Sequence, residues 1–96
     1  MSNPSWADEA DDIFFANEAG QIVGSAEPCG FKLEPGKLKS FTETRIVNLA
    51  QMARMNFTAS TSIQGNSIAE MSETEKVAHC ALNRALAEKY ELLATP

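Results

Sequence analysis

Residues 56 to 66 read Asn-Phe-Thr-Ala-Ser-Thr-Ser-Ile-Gln-Gly-Asn, a concentration of hydroxyls and side-chain amides around one isoleucine. On a helix, Ser60 and Gln64 stand four residues apart and stack as neighbours on one face. Such a pair offers a hydroxyl and an amide to an incoming polar group. Elsewhere the residues that do chemistry are sparse. His79 is the lone histidine, on the polar side of a helical pattern, without the converging partners that general acid-base catalysis requires. Cys29 and Cys80 are the only cysteines, too few with one histidine for a zinc site, and read as two reduced thiols of a cytosolic protein. Asp8, Glu9, Asp11 and Asp12 lack the alternating offsets of a divalent-cation loop and read as a solvated face. No glycine-rich phosphate loop follows a strand. The expectation is a non-enzymatic chain with no catalytic residue, no cofactor and no metal.

The elements that position these residues follow from periodicity. With 96 residues the chain makes one domain at most, and 44% apolar residues suit a globular protein. Ile46, Leu49, Ala50, Ala53 and Phe57 recur at helical spacing, with a cap at Ser40 or Thr42. The pattern predicts a helix over 42–64 ended by Gly65, with Asn66 in the following turn. Met52, Met55 and Ala59 widen its apolar face enough to imply burial on more than one side, in a core or against a partner. A second helix over 72–93 opens with the capping box Ser72-Glu73-Thr74-Glu75 and carries the stripe Ala78, Leu82, Ala85, Leu86, Tyr90 and Leu93.

The first 40 residues read differently. Asp12 to Ala16 and Gln21 to Ser25 flank the turn sequence Asn17-Glu18-Ala19-Gly20, which favours a β-hairpin. The competing pattern is a helix with Trp6, Ala10, Ile13, Phe14 and Asn17 on one stripe and Gly20 as its cap. Pro28, Gly30, Pro35 and Gly36 read as punctuation, with a third short strand at Gly30 to Leu33. The expected architecture is mainly α with a small β-hairpin, an α+β arrangement. An acidic segment over 1–40, with hairpin and Pro/Gly loop, precedes a two-helix module over 41–96.

A net charge of −5 excludes sequence-independent nucleic-acid binding and docking on an anionic membrane. No basic start leads into an apolar run, and no stretch is apolar enough to span a bilayer, so the cytoplasm is the expected compartment. The partner expected is another protein.

The spacing Ser60-x-x-x-Gln64-Gly65 resembles the inhibitory motif, Ser-x-x-x-Glu followed by Gly or Asn, of the proteins that control Fic-domain AMP transferases. Asn56-Phe57-x-Ala59-Ser60 is similar to the lead-in of the small stand-alone antitoxins. Ile63-x-Gly65-Asn66-x-Ile68, with Glu73 and Thr74 beyond, is similar to the version built into larger Fic proteins. The resemblance covers about the last 55 residues. It implies an antitoxin that pairs the motif residue with an arginine at the toxin's ATP site and obstructs the γ-phosphate. Gln64 departs from the family glutamate: it keeps the shape but lacks the charge that strengthens a guanidinium pair. The residues expected to meet the partner are Ser60, Gln64, Gly65 and Asn66, with apolar contact from Phe57, Ile63, Met52 and Met55. The alternative is a small acidic phage or mobile-element protein that blocks a host defence complex, anchored by Trp6 within the charges of Asp8, Glu9, Asp11 and Asp12.

Overall fold

The computed structural model describes residues 6–94, with side chains from residue 9 onward. Four α-helices are present among them: α1 (Trp6–Cys29), α2 (Pro35–Phe41), α3 (Gln51–Ala69) and α4 (Glu73–Lys89). A π-type turn, Thr42–Ile46, continues directly from α2. The molecule is elongated, with a radius of gyration of 14.0 Å where a compact chain of this length has about 12.5 Å.

The hairpin is not formed. Asp12 to Ala16 and Gln21 to Ser25 belong to one 24-residue helix that runs through Gly20 and Gly24. Both glycines look like turn residues in sequence, but here they allow close approach. A Cβ on Gly20 would stand 2.7 Å from the Phe57 carbonyl oxygen and the Ser60 Cβ. One on Gly24 would strike the Thr61 carbonyl and the Gln64 side chain. Only a bare backbone fits against α3 at these points. Ala16 and Ala53, both fully buried, keep other parts of α1 and α3 slim.

The helix actually ends at Gly30, whose φ of 77° is the left-handed conformation. Phe31 N–H donates back to the Ala26 carbonyl at 3.0 Å, the long bond of a Schellman cap. The expected strand at Gly30 to Leu33 is reduced to an isolated antiparallel bridge between Leu33 and Leu93. Glu34 then caps α2, accepting from Gly36 N–H at 3.0 Å and Lys37 N–H at 2.7 Å, with Pro35 in the first turn.

The helix expected over 42–64 is two elements. The π turn ends at Ile46, and α3 begins afresh at Gln51, where the Asp12 carboxylate accepts from Ala50 N–H at 3.3 Å. Gly65 does not terminate α3, which continues to Ala69. The capping box of α4 forms as the sequence implies, Ser72 accepting from Glu75 N–H and Glu75 from Ser72 N–H.

One core joins both halves of the chain. Ala19, Ile22 and Ala26 of α1 meet Phe31, Phe41, Ile46, Ala87 and Leu92. Phe15, Phe41 and Tyr90 close one end, with ring centroids 5.8 to 5.9 Å apart. Tyr90 donates its hydroxyl to Glu18 at 2.8 Å. The stripe expected on α4 holds only in part: Leu86, Tyr90 and Leu93 pack against the core, whereas Ala78, Leu82 and Ala85 face solvent and Asn83 and Ala87 are buried in their place.

The cysteines are not free thiols. Cys29 and Cys80 form a disulfide across a sequence separation of 51, with Cα atoms 5.3 Å apart, which ties the end of α1 to α4. No helix among the described residues is long and apolar enough to cross a membrane.

Candidate functional site

Ser60 and Gln64 do lie on one face of α3, but that face is turned inward. They are only 8% and 6% exposed. Ser60 donates its hydroxyl to the Asn17 carbonyl of α1 at 3.1 Å. The Gln64 side chain crosses toward α4, its Oε1 lying 3.1 Å from His79 Nε2. The same ring nitrogen is 3.2 Å from Ser25 Oγ and 3.3 Å from Asn83 Nδ2. A polar cluster thus joins α1, α3 and α4 beside the apolar core.

The chemistry of this cluster follows from its donors and acceptors. Gln64 Oε1 can only accept and Asn83 Nδ2 can only donate, so His79 Nε2 serves Gln64 when it carries the ring proton and Asn83 when it does not. Asn83 Nδ2 donates to the His79 carbonyl at 2.9 Å, and its Oδ1 is buried without a partner. Ser25 and His79 have the separation of a nucleophile and its base. Ser25 is completely buried, so no substrate reaches it in this arrangement. The cluster holds three helices in register.

The Ser/Thr-rich run is helical because its side chains are satisfied within the helix. Asn56, Thr58, Thr61 and Ser62 each donate to the carbonyl four residues back, at 2.9 to 3.3 Å. Small residues there also allow α1 to approach. The hydroxyls weaken the helix in isolation and suit it to this packing.

What α3 offers to solvent is apolar. Met52, Met55 and Ile63 are 61%, 58% and 55% exposed and, with Ala59, share one helical face. Phe57 lies partly buried against the core instead. Gly65 and Asn66 are exposed on the helix surface. At the start of the stripe a groove of about 340 Å³ is lined by Glu9, Ile13, Ala50, Gln51, Met52 and Ala53. The acidic end of α1 and the methionine face therefore adjoin. Asp11 is exposed, while Asp12 is engaged at the start of α3. The Trp6 and Asp8 side chains lie outside the described residues.

Sequence reasoning passed over Ser25 and Asn83, and it set His79 on an exposed face. Asn83 four residues after His79 was the available signal, because two polar residues on one helix face read as solvated until the neighbouring helices are known. Among the described residues, no group of three or more His, Cys, Asp or Glu is placed to hold a metal ion. Compared with known proteins, the chain matches no family model, no curated protein and no solved structure.

Proposed function

We propose that this chain is a non-enzymatic binding protein that acts by covering a surface of another protein. The exposed face of Met52, Met55 and Ile63 on α3 carries this reading, with the groove edged by Glu9 beside it. Methionines adapt to irregular apolar surfaces, and a helical apolar face is a common docking element. The partner that fits is a protein with an apolar groove bordered by Lys or Arg, complementary to the net charge of −5. This is the blocking mode of the acidic-protein reading, with its contact centred on α3.

The Fic antitoxin reading needs Gln64 to leave His79 and Ser60 to leave the Asn17 carbonyl, which opens the α1–α3 contact. The geometry weighs against that mechanism. The Cys29–Cys80 bond weighs against the cytoplasm expected from the signals read in sequence, since disulfides persist in oxidising compartments.

The test is capture of a partner from the native host by the wild type and by Met52→Asp/Met55→Asp, with circular dichroism confirming the fold of both. Retention by the wild type and loss by the variant is the expected outcome. Equal retention removes α3 from the contact. Inhibition of a Fic-domain protein that Gln64→Gly weakens, with the fold intact, would restore the antitoxin reading.

A further inference from the structure

We propose that the groove between α2, the π turn and the end of α4 is an oxyanion site, with Arg45 as its binding residue and a phosphate or carboxylate group as its ligand. The groove encloses about 390 Å³, the scale of a small-molecule site, and is lined by Lys37, Ser40, Phe41, Thr44, Arg45 and Tyr90, with Glu91 and Leu92 at its edge.

Arg45 is held by aromatic faces. Its guanidinium carbon lies 4.4 Å from the Phe15 ring centroid and 5.6 Å from those of Phe41 and Tyr90. The rings offer the cation no carboxylate or carbonyl oxygen, so the guanidinium N–H donors remain to bond outward. Among the described residues no carboxylate comes within 4.0 Å of it; the sole ion pair there is Lys39 with Glu43. A fork oriented by packing and lacking an internal anion is built for bidentate contact with an external one.

The backbone around the groove departs from regular geometry twice. Val47 N–H bonds to the Thr42 carbonyl at 3.0 Å, the wide register of a π turn, and such turns recur at functional sites. Lys37, Ser40 and Phe41 lead into that turn from α2, and Thr44 and Arg45 emerge from within it. Across the groove Glu91 has a φ of 58°, a left-handed conformation that is strained for a residue with a Cβ. Its carboxylate opposes an incoming anion, so binding must come from Arg45 and Lys37. This site is independent of the α3 face.

The test uses the full oxidised chain, titrated separately with inorganic phosphate and acetate at constant ionic strength, with chloride as control. Nitrogen-detected NMR follows the side chains of Arg45 and Lys37, Lys37 giving the affinity in the variants that lack Arg45. Saturable shifts at Arg45 are expected, with affinity about tenfold lower in Arg45→Gln, reduced in Arg45→Lys through loss of the fork, and raised in Glu91→Gln. Response to phosphate alone assigns a phosphoryl ligand, and response to acetate alone a carboxylate. Shifts that never saturate, that match chloride, or that persist unchanged at Lys37 in Arg45→Gln overturn the site. Arg45→Lys, with circular dichroism, serves the same purpose if Arg45→Gln does not fold.

Discussion

At position 64 one amide meets the only histidine of the chain, and the consequence is measurable without a partner. Gln64→Gly removes a buried hydrogen bond and places glycine inside α3, for an expected loss of about 2 kcal/mol in urea unfolding. Gln64→Glu would place a carboxylate in the same 6%-exposed position, beside His79. Glu91 makes the opposite case. It occupies the left-handed end position of α4 that glycine ordinarily takes, and Leu92 N–H completes the cap by donating to the Ala87 carbonyl at 2.8 Å. Glu91→Gly is expected to raise stability by about 0.5–1 kcal/mol in the same assay, since the Cβ strain disappears. Tyr90 adds a pH dependence. Burial first, then its bond to Glu18, raises the phenol above its ordinary value. The neutral phenol is therefore favoured by folding, and its stabilising contribution is complete below pH 10 and falls as pH rises through the folded-state value. Unfolding midpoints measured at increasing alkaline pH should drop less in Tyr90→Phe than in the wild type.

Among the elements, the α1–α3 pair decides the fold. Gly20 and Gly24 face Ser60 and Gln64, and added methyl groups would meet backbone carbonyls that cannot rotate away. Gly24→Ala should destabilise by about 1–3 kcal/mol through overpacking, although alanine is the better helix former. A gain in the thermal midpoint would contradict the close contact. This conflict also explains what was legible. The α4 start could be read because Ser72 and Glu75 form a local, self-sufficient pattern. Helix α1 reads as a hairpin in sequence because its two glycines signal turns locally, and their purpose appears only when α3 is alongside. Its apolar residues also point two ways, Ala19 and Ile22 to the core and Ala16 with the glycines to α3, so no single stripe identifies it. The stripe on α4 is legible for Leu86, Tyr90 and Leu93, which pack on the core, but not for Ala78, Leu82 and Ala85, which are apolar yet outward. Of the candidate site, the spacing of Ser60 and Gln64 was readable, but not the side it faces. The methionines read in sequence as buried either in a core or against a partner, and Met52 and Met55 are exposed in the chain by itself.

For the molecule as a whole, the core is thin: four of its eight central members, Ala19, Ala26, Ala87 and Ile22, bring mostly short side chains from α1 and α4. Chains of this size with modest cores depend on added constraints. Closing a loop of 51 residues limits the unfolded chain by about 4 kcal/mol in the chain-entropy model. Reduction with dithiothreitol is expected to lower unfolding stability by roughly 3–4 kcal/mol, a large part of a small domain's total, and Cys29→Ser/Cys80→Ser should reproduce it. A reduced chain as stable as the oxidised one would show the bond to be dispensable. The same covalent ring changes what a protease can achieve. A single cut in the connection after Ile46, or at the bend between Ala69 and Glu73, leaves both fragments fastened to one another through sulfur. Such a nicked molecule would keep its intact mass on a gel run without reductant and separate into two bands once reductant is added, so one surface cut would not release α3 from its neighbours, and only cuts on both sides of it would.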